Sequence, residues 1–231
     1  SNFDQNSAWY WASAGKTLTA LLTGIAQEKG LLSLEDKSSN YLGKGWTSLS
    51  EEKEDLIKIK HQLTMTTGLD YEVNDLDCTE SQCLQFKADA GTQLYYHNAP
   101  YTLIGKVISE ASDMAYNRFT DEYVESKIGM NGEWRGNGFN NVYWSTARDA
   151  ARFGLLVLNK GKWGDESVLE DIDYIQAMSN SSQDLNPSYG YLWWSNGKSS
   201  AILPGSPNSF NTSLAPKAPK DLIKSQTREL R

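Results

Sequence analysis

Residues 13–29, SAGKTLTALLTGIAQEK, constrain the fold of this chain more than any other segment. Apolar side chains recur there at intervals of three and four residues, which places them on one face of an α-helix. These residues are Leu18, Leu21, Leu22, Ile25 and Ala26. Ser13 is a suitable N-cap and Gly30 a suitable C-cap for this helix. The segment therefore predicts a helix whose apolar face must be buried against other elements.

The remaining sequence is also predicted to be rich in helices. Helical patterns occur at 50–68, 100–108, 115–128, 146–159 and 166–178. Strand signals are sparse, and YGYLWW at 189–194 is the best of them, because aromatic residues favour strands. Because no repeat or low-complexity linker interrupts the chain, residues 1–231 are expected to form one domain.

Charge and apolar content exclude two broad classes of protein. The net charge of −7 argues against a nucleic-acid binder, which would carry a basic surface. No apolar run approaches the roughly 18 residues that a membrane-spanning helix needs. The opening segment, SNFDQNSAWYW, has neither the basic nor the apolar region of a signal peptide, as would also hold for a mature secreted chain.

The two cysteines, Cys78 and Cys83, lie close together in a polar segment. This spacing favours a local disulfide and hence a periplasmic or secreted protein; the alternative is two free, half-buried thiols. A metal site is not predicted, because the chain has only two histidines to add to the cysteines.

Ser13-Ala14-Gly15-Lys16 is the strongest candidate for a catalytic motif. A serine hydroxyl needs a base to become a good nucleophile, and a lysine three residues later lies on the same helical face. Partial burial lowers the pKa of such a lysine, so that it can take the proton. The same spacing occurs at Ser50–Lys53 and Ser195–Lys198, but only Ser13 leads into an apolar helix.

Tyr96-His97-Asn98 is the second candidate motif and lies just before a helix with Pro100 in its first turn. A tyrosine near cations can act as a general base, and an amide can orient a substrate carbonyl. The alternative is a half-buried aromatic side chain followed by a capping asparagine.

The two motifs, in this order, resemble those of the serine β-lactamase and penicillin-binding protein superfamily, and the Tyr-x-Asn form resembles its class C β-lactamase, DD-peptidase and esterase-like branch. Three further stretches, HQLTMTTGLDY, STARDAARFGLLVLNKGKW and YGYLWW, resemble family segments in the same order. The resemblance covers residues from about 9 to 195.

The resemblance implies an α+β fold of the β-lactamase/transpeptidase type and an acyl-enzyme mechanism on an amide or ester. Ser13 would attack the carbonyl, Lys16 and Tyr96 would transfer the proton, and Asn98 would bind the substrate. No metal and no organic cofactor are implied. A β-lactam, a peptide, a carboxylic ester and an amide oligomer all remain open as substrates.

The sequence departs from the family pattern near its C-terminus. The third family motif, Lys/His-x-Gly, is not found, since Lys224-Ser225-Gln226 lacks the glycine. Much of the family's antiparallel sheet is therefore expected to be missing, with truncation at both ends. We expect an oligomer or a partner chain to cover the apolar helical face of 16–29, and weak ester hydrolysis at most. The competing interpretation is a non-catalytic, ligand-binding remnant.

Other residues are given structural roles. His61 is expected to be structural, and the basic tail from Ala215 to Arg231 is expected to be solvated. Trp193, Trp194 and Tyr95 are candidates to line a substrate cleft, with core packing favoured for at least one of the tryptophans.

Overall fold

The computed structural model describes residues 4–212. Within them the α-helices are α1 (Gly15–Glu28), α2 (Ser39–Leu42), α3 (Glu51–Glu54), α4 (Ile59–Leu63), α5 (Asn98–Thr102), α6 (Ile104–Ser112), α7 (Tyr116–Thr120), α8 (Ser126–Ile128), α9 (Ala147–Leu158) and α10 (Ile172–Ser179). A π-helical segment, Asp121–Glu125, joins α7 to α8, and Ser81–Cys83 form a 3₁₀ turn. The strands are β1 (Ala8–Tyr10), β2 (Glu133–Asn137), β3 (Asn140–Thr146), β4 (Lys162–Trp163), β5 (Glu166–Ser167), β6 (Ser200–Ile202) and β7 (Ser209–Asn211). The chain is thus α+β, helix-rich and with small sheets, as predicted.

Helix α1 is the centre of the hydrophobic core. Its residues from Gly15 to Ala26 are almost all buried, and it packs against α6 and α10. The Tyr174 hydroxyl of α10 donates a hydrogen bond of 2.6 Å to the carbonyl oxygen of Ala20. The expectation that this helix exposes an apolar face to a partner chain was therefore wrong, because α6 and α10 of the same chain cover it.

The start of α1 also differs from the prediction. A 3₁₀ turn over Ala12–Ala14 precedes the helix, which begins at Gly15, so Ser13 does not cap it. The end agrees with the prediction: Gly30 follows the last helical turn with a φ of +68°, a conformation that favours glycine.

The largest sheet is antiparallel and has the strand order β1-β3-β2. Tyr10 lies opposite Trp144, and Trp134 lies opposite Tyr143. Tyr143 and Trp134 are buried in the core, whereas Tyr10 is 44% exposed. One face of this sheet therefore packs on the core and the other faces outward. The strands β4 and β5, and the strands β6 and β7, form two separate two-stranded sheets.

Two further predictions need correction. Residues 189–194 are not a strand: Tyr189 and Trp194 form an isolated bridge across a tight turn in which Leu192 has a φ of +57°. The apolar run is explained by burial rather than by strand pairing. Helix α10 begins at Ile172 instead of residue 166, since Asp171 caps it by accepting a hydrogen bond of 2.9 Å from the Tyr174 backbone.

The remaining structural assignments are simple. Cys78 and Cys83 are joined by a disulfide bond. The Nδ1 atom of His61 accepts a hydrogen bond of 3.1 Å from the Lys58 backbone at the start of α4, which is a structural role.

Across residues 4–212, no helix has both the length and the apolar character to cross a bilayer. Lys224-Ser225-Gln226 and the tail from Ala215 lie outside the described residues.

Candidate active site

The segment just before α1 presents Ser13 to solvent. The Trp11 backbone donates a hydrogen bond of 2.8 Å to the Tyr143 carbonyl, and its indole Nε1 donates one of 2.8 Å to Ser145 Oγ. Ala12 then has a φ of +48°, which turns the chain sharply at that point. Because β3 holds the chain up to this turn, Ser13 is exposed at a defined position above the N-terminus of α1.

Lys16 is buried beneath Ser13 and only 4% exposed. Its Nζ atom lies 3.5 Å from Ser13 Oγ, at the limit of a hydrogen bond. The same atom lies 4.3 Å from the ring centroid of Tyr101 and 5.2 Å from that of Tyr96. Burial lowers the pKa of Lys16 to about 8, although the charge of Asp77 acts in the opposite direction. Lys16 is therefore much easier to deprotonate than an exposed lysine.

Tyr96 lies close to both members of this pair. Burial raises the pKa of its hydroxyl, and interaction with the Ser13 hydroxyl opposes that rise. Its ring stacks on Trp194, with the centroids 6.1 Å apart, and meets the edge of Tyr189 at 6.3 Å. Trp194 therefore contacts a candidate site residue, although it does not line the cavity at Ser13, and its role at a substrate cleft stays a prediction.

Asn98, the first residue of α5, completes the group. Its Oδ1 atom is buried and accepts no hydrogen bond from residues 4–212. A cavity of about 200 Å³ has walls formed by Tyr10, Ala12, Ser13, Lys16, Asn98, Tyr101, Asn137, Asn140, Asn141 and Val142. The structure therefore brings Ser13, Lys16, Tyr96 and Asn98 together, and three of the four line one cavity.

Two groups of residues in this cavity were not predicted from the sequence. Tyr101 contacts the Lys16 ammonium and lies three residues after Asn98, so helical spacing could have revealed it. Asn140 and Asn141 belong to no motif and reach the cavity through the fold alone. The Thr102 hydroxyl donates a hydrogen bond of 3.2 Å to Asn140 Oδ1, which fixes the tip of the β2–β3 hairpin against α5.

The two other Ser-x-x-Lys segments lack this arrangement. Lys53 forms an ion pair of 2.5 Å with Asp89 on the surface. The Ser195 hydroxyl donates to the carbonyl oxygen of Ser179 at 2.9 Å. Of the three copies, only Ser13 therefore has a buried lysine beside its hydroxyl.

The two remaining aromatic candidates lie elsewhere. Tyr95 stacks on Tyr71 at 3.9 Å, and Trp193 packs against Phe153 with centroids 6.2 Å apart. Neither lines the cavity at Ser13. Within the described part of the chain, no three or more His, Cys, Asp or Glu side chains are placed to hold a metal ion.

Comparison with known proteins places this chain in a family. The Beta-lactamase family model matches residues 1–215. The chain belongs to the β-lactamase family. A curated relative, a β-lactamase of Escherichia coli K12, is 26% identical over 137 residues, which are 56% of this chain and 35% of that protein. The chain thus spans about a third of the length of the curated relative that it matches.

Solved structures share the fold. A Bacillus anthracis protein assigned as a 6-aminohexanoate-dimer hydrolase aligns with a TM-score of 0.68 at 15% identity, over 99% of this chain and 72% of that one. An octameric penicillin-binding protein homologue from Pyrococcus abyssi aligns with a TM-score of 0.61 at 18% identity, over 81% and 53%. At these identities the likeness concerns the β-lactamase/transpeptidase-like fold.

Proposed function

We propose that this chain is a serine acyl hydrolase in which Ser13 is the nucleophile. The observation that carries the proposal is the pairing of an exposed serine with a buried lysine 3.5 Å away, whose pKa is lowered to about 8. With that pKa, roughly a tenth of Lys16 is neutral at pH 7, about 300-fold more than for an ordinary lysine. Neutral Lys16 can accept a proton from Ser13 as the hydroxyl attacks.

The reaction would proceed through an acyl-enzyme. Ser13 Oγ forms a bond to the substrate carbonyl carbon while its proton passes to Lys16, and the carbonyl oxygen becomes an oxyanion near the N-terminus of α1. The bond to the leaving group then breaks, and the leaving group takes the proton by way of Lys16 or Tyr96. A water molecule then attacks the acyl-enzyme carbonyl and passes its proton to Lys16 or Tyr96. The ester bond to Ser13 Oγ breaks, the carboxylic acid leaves, and Ser13 recovers its proton.

An amide or ester substrate is supported by the lining of the cavity. Asn98 Oδ1 has a free lone pair for a substrate N–H, and Asn140 and Asn141 add further amide groups. The relatives are named for β-lactams, penicillin and a 6-aminohexanoate dimer, and all of these compounds contain amide bonds. An amide is therefore the first substrate class to test.

Covalent labelling of Ser13 tests the proposal. The purified chain is incubated with a fluorophosphonate or a penicillin, and the intact mass is measured. We expect one adduct per chain, its loss in Ser13→Ala, and slower labelling in Lys16→Ala. Ser50→Ala is the matched control, because it removes the serine of an exposed Ser-x-x-Lys copy, and it should label normally.

Labelling reports attack by the nucleophile alone, by phosphonylation with the fluorophosphonate and by acylation with the penicillin, so it tests the site even where turnover is slow. An unlabelled chain, or labelling that persists in Ser13→Ala, would contradict the proposal and favour the non-catalytic, ligand-binding alternative.

The disulfide between Cys78 and Cys83 supports export, since such bonds persist in oxidising compartments. A periplasmic or secreted location is therefore part of the proposal. Self-association is also proposed, supported by the octameric Pyrococcus relative and by Leu155 and Leu158 of α9, which are 46% and 77% exposed.

A further inference from the structure

A second groove borders the cavity at Ser13, on the outer face of the largest sheet. This groove has a volume of about 350 Å³ and is lined by Tyr10, Arg135, Gly136, Asn137, Val142 and Trp144. Tyr10, Asn137 and Val142 line both spaces. The two spaces are therefore direct neighbours, and a molecule with its carbonyl group at Ser13 lies beside the groove.

The sheet register explains why these side chains form one surface. Tyr10 lies opposite Trp144, and Arg135 lies opposite Val142 on the neighbouring strand. Because side chains alternate between the two faces of a strand, Val142 and Trp144 share the outward face, while Tyr143 between them is fully buried.

Two of the lining side chains form an aromatic shelf, by which we mean Tyr10 and Trp144. Their ring centroids lie 5.6 Å apart with the planes inclined by 49°. Because the two planes are inclined, the shelf is not flat as a whole, but each ring offers an apolar face or edge against which a planar group can pack.

Among residues 4–212, the one charged residue that lines the groove, Arg135, is paired with a carboxylate. The guanidinium of Arg135 lies 5.0 Å from the Trp144 ring centroid, and its Nε donates a hydrogen bond of 2.7 Å to Glu133. Because Glu133 compensates the charge of Arg135, we do not expect the shelf to bind anionic ligands more tightly than uncharged ones.

We propose that the aromatic shelf is a specificity-determining subsite that binds a planar, uncharged, preferably aromatic part of the substrate. The inference deepens the proposed function and rests on it, because it assumes that the substrate carbonyl lies at Ser13. It assigns aryl-substituted amides and esters as the preferred substrates over small aliphatic ones.

Equilibrium binding to the Ser13→Ala chain tests the subsite without any need for catalysis. The dissociation constants of phenylacetamide and acetamide are measured by ligand-observed NMR. We expect phenylacetamide to bind roughly three- to tenfold more tightly, as stacking on aromatic rings predicts. Adding Trp144→Ala should abolish the preference, and Trp144→Phe should restore part of it. Phe86→Ala is the matched control, since Phe86 is 48% exposed but lines neither space.

Charge is tested with 4-carboxyphenylacetamide, which should bind no more tightly than phenylacetamide until Glu133→Gln frees the guanidinium. Equal binding of phenylacetamide and acetamide, or a preference unchanged by Trp144→Ala in a chain with native circular dichroism, would overturn the inference. If Ser13 is not labelled covalently but phenylacetamide still binds at the shelf, the hydrolase function is rejected and the groove is only a binding site. If Ser13 is labelled but phenylacetamide shows no preference that depends on Trp144, the shelf is rejected as a subsite and the hydrolase function stands.

Discussion

Replacing Lys16 by methionine is expected to stabilise the protein while removing its proposed general base. Lys16 is 4% exposed, and no ion pair to its ammonium is found in residues 4–212. Methionine has a similar length and carries no charge, so it can fill the same space without the cost of burying an ammonium group.

The gain follows from the lowered pKa of Lys16. Each pKa unit corresponds to about 1.4 kcal/mol, so a fall from 10.5 to about 8 costs the folded state roughly 3 kcal/mol at pH 7. The cation–π contacts with Tyr101 and Tyr96 oppose this cost and are worth about 0.5–2 kcal/mol. We therefore expect Lys16→Met to raise the free energy of unfolding by about 1–3 kcal/mol at pH 7.

The pH dependence gives a second, independent check. Because the pKa of Lys16 is lower in the folded chain, the unfolded chain binds more protons between pH 8 and 10.5. The stability of the wild-type chain therefore rises with pH as the penalty at Lys16 is relieved. The advantage of Lys16→Met should shrink by about 1.4 kcal/mol between pH 7 and pH 9.

Urea denaturation of both chains at pH 7 and pH 9 measures these quantities. Lys53→Met is the control, because Lys53 belongs to an exposed Ser-x-x-Lys copy and should change stability by less than about 1 kcal/mol at either pH. A Lys16→Met chain that is less stable than wild type at pH 7, or whose advantage grows with pH, would refute the reasoning.

Two further predictions concern the surroundings of the site. Burial lowers the pKa of His97 to about 4, so the unfolded chain binds more protons than the folded chain between pH 4 and 6.5. The free energy of unfolding should therefore fall by about 2 kcal/mol from pH 7 to pH 5. His97→Gln should remove that dependence in the same urea assay. Replacing Cys78 and Cys83 together by alanine opens a short loop and should lower the free energy of unfolding by about 2 kcal/mol in non-reducing urea denaturation. An unchanged free energy of unfolding would contradict this prediction.

The sequence predicted the parts of the site that depend on local spacing. Ser13 and Lys16 are three residues apart on one helix, so local geometry alone brings them together. Tyr96 and Asn98 were found through motif order, which carries information about tertiary position that spacing does not.

The remaining features depend on tertiary packing and could not be predicted from local spacing. The Asn140 side chain reaches the cavity because the hairpin tip bonds to Thr102 of α5. Helix α1 is covered by α10 through a contact between residues more than a hundred positions apart, Tyr174 and Ala20. The segment 189–194 has the composition of a strand, but a tight turn satisfies its backbone instead.

Strand β3 assigns the stability of the fold and the shape of the groove to different residues. Tyr143 and Ser145 face inward and hold the core and the chain before Ser13, whereas Val142 and Trp144 face the groove. A substitution at an outward position therefore alters the shape of the groove and leaves the inward contacts in place. Related chains can therefore differ in the ligand that the groove binds while they keep the inward residues of β3 that stabilise the fold.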